Sequence, residues 1–179
     1  MKTIAAMNIG ELAAFVCSHL KKHDINVVLS GGACVAVHAQ GRFVSYDLDF
    51  IENLASGRRT LRKVLSAIGF AEEGRYFRHA DTQFFLEFPA GPLAVGDEPP
   101  QELVVLHYET GDLTALSPTD CIKDRLAAYF HWNDMECLEQ ALLVARNAVI
   151  NLPEIERWAR KEGSDAKLLH FKNRLQSME

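Results

Sequence analysis

Residues 27 to 51, VVLSGGACVAVHAQGRFVSYDLDFI, constrain this chain more than any other stretch, because they demand a strand, a tight turn, a short helix and a second strand in close succession. Val27, Val28 and Leu29 form an apolar, β-branched-rich run that stops at Ser30, Gly31 and Gly32, the pattern of a buried strand ending where the backbone turns sharply. The helix that follows leaves its first backbone N–H groups without intrahelical partners, and the two glycines let an anion such as a phosphate approach them closely. Further on, the strand period of two turns the carboxylates of Asp47 and Asp49 to one face, while Leu48, Phe50 and Ile51 supply buried surface. Two carboxylates side by side repel each other. Either one of them binds its proton unusually tightly, or a hard divalent cation with oxygen ligands neutralises the pair. The plainer alternative is that Asp47 caps a turn and Asp49 lies on a solvated strand face.

The two glycines, the small-apolar helix Ala33 to Val37, Arg42 and the run Ser45, Tyr46, Asp47, Leu48, Asp49, Phe50 together resemble the DNA polymerase β-like nucleotidyltransferase superfamily. Within it they look closest to the branch of abortive-infection type IV toxin nucleotidyltransferases. The resemblance is specific over these residues and weaker across the remainder. It implies an NTP substrate, with Ser30, Gly31, Gly32 and Arg42 at the nucleotide, and Mg2+ or Mn2+ held by Asp47, Asp49 and a third carboxylate on a neighbouring strand. By order along the chain that third position is Glu87, which lies in the apolar run 82–88 and is followed by Pro89, Gly91 and Pro92. The other reading of Glu87 is a rim glutamate paired with a nearby arginine. The related toxins also carry a lysine in a helix after a Ser-Pro-like start and an acidic residue opening the next helix, which here fit Lys123 and Asp134. Lys123 then reaches the nucleotide phosphates; the ordinary reading is a lysine snorkelling off an amphipathic helix.

The rest of the chain reads as support. A helix from about Ile9 to His23 is expected, with Asn8 as N-cap, Glu11 completing a capping box, and Leu12, Val16 and Leu20 facing the sheet. His38 either touches a nucleotide or packs at a helix end. A polar loop over Glu52 to Gly57 leads to a helix from about Arg58 to Ile68, stopped by Gly69. Residues 75–78 and 82–88 read as a strand hairpin. The Gly- and Pro-rich segment 90–101 reads as a long loop, either a flexible lid or an insertion near the site. Leu103 to Tyr108 reads as a strand and Gly111 to Leu116 as a turn with a short extended piece. Ser117, Pro118, Thr119, Asp120 is a strong helix start, and helices are expected at about 118–132, 134–149, 153–162 and 165–176.

These elements predict an α+β fold with an α/β core, a mixed β-sheet over residues 1–116, and a helical C-terminal subdomain over 117–179 packed on it or against a second subunit or partner protein; the resemblance implies that the core is a nucleotidyltransferase fold. With 48% hydrophobic residues, a chain of 179 residues buries a sizeable core. A net charge of -5 argues against a general nucleic-acid coat, although Arg58, Arg59, Arg62, Lys63, Arg75 and Arg78 make the middle locally basic. The four cysteines, Cys17, Cys34, Cys121 and Cys137, form no C-x-x-C pair and read as small buried side chains. Neither a signal peptide nor a membrane span is expected, which predicts a cytoplasmic protein. The activity expected is magnesium- or manganese-dependent transfer of an NMP from an NTP to a hydroxyl on RNA, protein or a small molecule. The competing readings are a catalytically silent nucleotide-binding or toxin–antitoxin-type regulatory module of the same fold, and a metal-dependent phosphohydrolase.

Overall fold

The computed structural model describes residues 2–52 and 57–177. Residues 53–56, the middle of the expected polar loop, lie outside the described residues. After a 3-10 turn at Ile4–Ala6, the elements are α1 (Ile9–Lys21), β1 (Val27–Ser30), α2 (Gly31–His38), β2 (Asp47–Glu52), α3 (Arg58–Ser66), β3 (Ala71–Glu73), β4 (Tyr76–Arg78), β5 (Phe85–Glu87), β6 (Leu103–Tyr108), β7 (Gly111–Leu116), α4 (Pro118–Trp132), α5 (Met135–Asn147), α6 (Leu152–Lys161) and α7 (Asp165–Gln176).

The strands form one mixed seven-stranded sheet in the order β3-β4-β5-β2-β1-β7-β6. β1 runs antiparallel to β2 and parallel to β7, and β2 runs parallel to β5. Burial in β2 alternates as the sequence demands: Leu48 and Phe50 are buried, while Asp47 and Asp49 are half-exposed on the other face. The Leu48 face is the covered one. Leu86 and Phe77 lie on it with Leu48, and α3 packs there, its Arg58 guanidinium 4.5 Å from the Phe77 ring centroid. α1 stands beside α3, with His19 Nε2 donating to the Val64 carbonyl at 3.1 Å. Asn8 and Glu11 form the expected capping box at the start of α1, each side chain accepting from the other residue's backbone N–H.

Two elements depart from the sequence reading. β3 was not expected at all: Ala71, Glu72 and Glu73 carry no β-branched residue, and only pairing with β4 across the turn at Gly74 makes them a strand. The short extended piece at 111–116 is a full six-residue strand. β7 sits between β1 and β6, forming a hairpin with β6 and pairing with β1 from far along the chain, and its Leu113, Ala115 and Leu116 are buried.

The segment 90–101 is strapped down. Val95 is fully buried and its carbonyl accepts from Trp158 Nε1 at 3.0 Å, Glu98 pairs with Arg157 and with Lys161, the latter at 3.0 Å, and the Asp97 N–H donates to Glu162 at 3.0 Å. The residues pinning it are on α6, with Glu162 as its C-cap.

Lys123 is also placed by this network. Its side chain is fully buried, with Nζ 2.8 Å from Asp120 Oδ1 and 3.0 Å from Glu154 Oε1. Asp120 Oδ2 accepts from the backbone N–H of Glu102 at 2.9 Å, so the ion pair ties α4 to the end of the strap and to α6. The apolar core continues without a break from α1 and the sheet into α4–α7, through Leu126, Leu138, Trp158 and Phe171. Among the described residues, no helix is long and apolar enough to cross a membrane. The four cysteines are free and buried.

Removing one partner of a buried ion pair leaves the other charge without compensation, which costs about 3–5 kcal/mol. Lys123→Ala is therefore expected to lower the urea midpoint by that order of stability, and Lys123→Met combined with Asp120→Asn to recover much of the loss. Equal destabilisation by the single and double variants would show that the pairing is not what the site depends on.

Candidate functional site

The site grows from the register of three adjacent strands. Ser30 at the end of β1 stands opposite Asp49 of β2, and Asp49 stands opposite Glu87 of β5. β2 and β5 therefore deliver Asp47, Asp49 and Glu87 to one sheet face, where a ligand oxygen from each lies within 4.8 Å of the others. β5 carries its acid for the reason its pattern suggests: Leu86 is buried on the covered face, so Phe85 and Glu87 must point to the open one.

The glycine turn makes the crowding feasible. The chain enters α2 through Gly31 at φ 65°, in the left-handed region, and a Cβ at this residue would stand 2.2 Å from Asp49 Oδ2. Only glycine meets both conditions. Gly32 is less extreme; its Cβ would come 3.0 Å from Ser45 Oγ. Ser45 is buried and donates to Asp47 Oδ1 at 2.8 Å, which fixes that carboxylate. Ser30 Oγ donates to the Asp49 carbonyl at 3.4 Å.

The electrostatics follow from this geometry. Burial, then the charges of Asp47 and Glu87, push the Asp49 carboxyl up to about 6. Glu87 is also paired with the exposed Arg75, Nε to Oε1 at 3.3 Å, so both readings of this residue meet in one place: it joins the aspartates and it has an arginine partner. The oxygen-only donor set, short of positive charge at its centre, fits a hard divalent cation.

A cleft of about 470 Å³ opens over Asp47 and Asp49. Its far wall comes from the C-terminal helices: Arg125 of α4 with Glu136 and Gln140 of α5. Arg125 is clamped by Asp124 at 2.6 Å. The sequence reading overlooked these three residues. Their only signal was Arg125 lying two positions from Lys123, and two positions on a helix are about 200° apart, so one can face the core while the other faces the cleft. Lys123, expected at the phosphates, is buried in its ion pairs with Asp120 and Glu154, while Arg125 lines the cleft. Arg42 lies exposed in the loop after α2 and is not among the residues lining the cleft. His38 is a packing residue, with Nε2 donating to the Leu116 carbonyl at 2.8 Å. Asp134 caps α5 by accepting from the Cys137 N–H.

Solved structures share this arrangement of strands and helices. An antigenic nucleotidyltransferase-like protein from Paracoccidioides brasiliensis superposes with a TM-score of 0.66, at 13% identity, over 94% of this chain and 90% of that one. The chain has the nucleotidyltransferase fold. The antibiotic-resistance factor ANT(2'')-Ia superposes with a TM-score of 0.55, also at 13% identity, over 93% of this chain and 97% of that one. Compared by sequence, the chain matches no family model and no curated protein.

Two predictions follow from the crowding. Because the carboxyl of Asp49 holds its proton more tightly folded than unfolded, the folded state binds more protons between about pH 4 and pH 6, and this group's contribution to stability is lost as the pH rises through 6. In chelator, Asp49→Asn is expected to be more stable than the parent at pH 8 by on the order of 2 kcal/mol, with the gap closing near pH 4. Urea titrations at the two pH values measure it; a gap independent of pH would contradict the raised proton affinity of Asp49. Gly31→Ala is expected to cost about 2 kcal/mol or more, since it adds left-handed strain to a clash with the Asp49 carboxylate. Thermal melts of the variant, alone and with Asp49→Gly to relieve the clash, separate the two contributions.

Proposed function

We propose that this protein is a divalent-metal-dependent nucleotidyltransferase that moves an NMP from an NTP to a hydroxyl acceptor. The observation that carries the reading is the convergence of Asp47, Asp49 and Glu87 beside the glycine turn at the head of α2. Fold alone does not establish activity. The likeness to nucleotidyltransferase-like structures supports the reading, and the run Ser45 to Phe50 suggests the toxin branch of that superfamily.

In this reading residues 1–116 supply the carboxylates and the anion-binding turn, and residues 117–179 supply the opposite wall. Asp47, Asp49 and Glu87 would hold Mg2+ or Mn2+, whose chemistry at such a site is to neutralise charge on the attacking and leaving oxygens. Ser45 orients Asp47 through its hydrogen bond. Backbone N–H groups at Gly31 and Gly32 receive the triphosphate, and Arg125 offers positive charge from across the cleft. The acceptor oxygen forms a bond to the α-phosphorus as the α–β phosphoanhydride bond breaks, and the electron pair of that bond leaves on pyrophosphate. The hydroxyl proton passes to a carboxylate oxygen of Glu87. Holding acceptor and phosphate in line supplies much of the acceleration.

The test is label transfer. With magnesium or manganese and α-labelled NTPs in cell extract, the protein is expected to release pyrophosphate and leave the α-phosphate on an acceptor. Asp47→Asn and Glu87→Gln each reduce this at least about a hundredfold, more than loss of a group that merely orients a metal ligand. Release of inorganic phosphate would indicate a phosphohydrolase. Binding of NTP with no label moved in any extract would leave a silent regulatory module.

A further inference from the structure

β6 (Leu103–Tyr108) is the outermost strand at one end of the sheet, and among the described residues no strand pairs with its free edge. Its backbone is aimed there. The Ser117 N–H donates to the Glu102 carbonyl at 3.2 Å, one step beyond the Leu103–Leu116 pair, and hydrogen-bonded and non-bonded pairs alternate along an antiparallel ladder. Val104, Leu106 and Tyr108 therefore direct their N–H and C=O groups to β7, and those of Leu103, Val105 and His107 face outward. We propose that this edge is a homodimer interface, in which β6 pairs antiparallel with β6 of a second copy across a twofold axis at Val105. The proposal goes beyond the transferase reading and does not depend on it.

The two ends of the sheet differ. β3, at the other end, is three residues long, and Glu72 and Glu73 put two acids in it, which deters a further strand. β6 is six residues long, in unbroken register with β7, and contains no proline, glycine, lysine, arginine or carboxylate. Leu103 is 40% and Val105 52% exposed. A regular, apolar edge of this kind is a ready template for another strand unless something blocks it, and nothing in β6 does.

Self-complementarity identifies the occupant as a second copy. The outward groups belong to Leu103, Val105 and His107, and a twofold axis at Val105 uses all three: Val105 pairs with the partner's Val105, and Leu103 with the partner's His107 on either side of the axis, giving about six hydrogen bonds. Val104 then stands opposite the partner's Leu106 and Glu102 opposite the partner's Tyr108, so apolar residues meet and no like charges are opposed. Moving the axis to Val104 sets Leu106 against the partner's Glu102, and moving it to Leu106 sets Leu103 against the partner's Glu109. Of these registers, the one at Val105 alone keeps charge away from the apolar side chains. Such an isologous contact closes at two chains, and the acids of β3 keep the other end of the sheet from extending it. A single strand pair lies at the small end of specific interfaces, so the dimer dissociates on dilution.

Analytical ultracentrifugation from about 1 µM to about 1 mM protein tests this, and the intact chain is expected to pass from monomer to dimer within that range. Val105→Pro removes an outward N–H without touching a bond to β7, and Val105→Lys sets two ammonium groups against each other across the axis. Each is expected to weaken the dimer about tenfold or more. An equimolar mixture of Val105→Lys and Val105→Glu is expected to dimerise where neither variant does alone, because opposite charges then face each other, and this rescue requires residue 105 to lie against itself. Circular dichroism confirms that the variants fold; should the proline variant fail to, the lysine and glutamate pair decides the matter. A chain monomeric up to about 1 mM, a dimer indifferent to Val105, an assembly that grows past two chains, or charge variants that associate no better together than apart would overturn the proposal.

Discussion

Crowding of like charge is the constraint around which this structure is arranged. Asp49 faces Ser30 on one side and Glu87 on the other, with Asp47 two residues away on the same face. Left free, these groups would separate. They stay together because β2 is an interior strand, paired along both edges, and because its other face, Leu48 and Phe50, is fully buried. A slip of one residue would turn that apolar face to solvent, at a cost far above the repulsion between half-solvated carboxylates. The raised proton affinity of Asp49 comes first from its own burial and then from the neighbouring charges of Asp47 and Glu87.

The opposite wall is fixed by a different principle. α4 has Ile122, Lys123 and Leu126 against the core and Arg125 over the cleft. A fully buried lysine is tolerated there because Asp120 and Glu154 meet its charge, and Glu154 is in turn held by Arg157 at 2.7 Å. The same chain of charges, continued through Glu98 and Lys161, ties the strap 90–101 to α6. What resembles a lid by composition is therefore a brace. It holds the helices whose neighbours, Arg125, Glu136 and Gln140, close the cleft, and links the C-terminal helices to the edge of the sheet at β6.

The sheet also bears on how a chain with a net negative charge would present the proposed nucleotide site. Basic residues are exposed on many elements, among them Lys21, Arg59, Arg146 and Arg160. Arg58 and Arg62 are engaged by Glu72, whereas Arg75 and Arg78 lie on the face that holds the carboxylates. Net charge describes the molecule seen from a distance, and chemistry at the site depends on the groups within a few ångströms.

The sequence by itself determined the centre of this protein: the run from Val27 to Ile51 dictates strand, turn, helix and strand, and the period of two places Asp47 and Asp49 together whatever the rest of the chain does. The capping box of Asn8 and Glu11 and the Ser117-Pro118 helix start were equally legible, since each is decided within a few residues. Tertiary structure decided what depends on partners outside the segment itself, some a turn away and some far along the chain. It made a strand of Ala71 to Glu73 and an interior strand of Gly111 to Leu116, because backbone pairing there comes from other strands rather than from propensity. It set Glu87 beside Asp49 through the β2–β5 register. It also chose Arg125 over Lys123 for the cleft, since a helix's rotation against the sheet is fixed by packing, and nothing within the helix's own sequence states which of its faces will be closed.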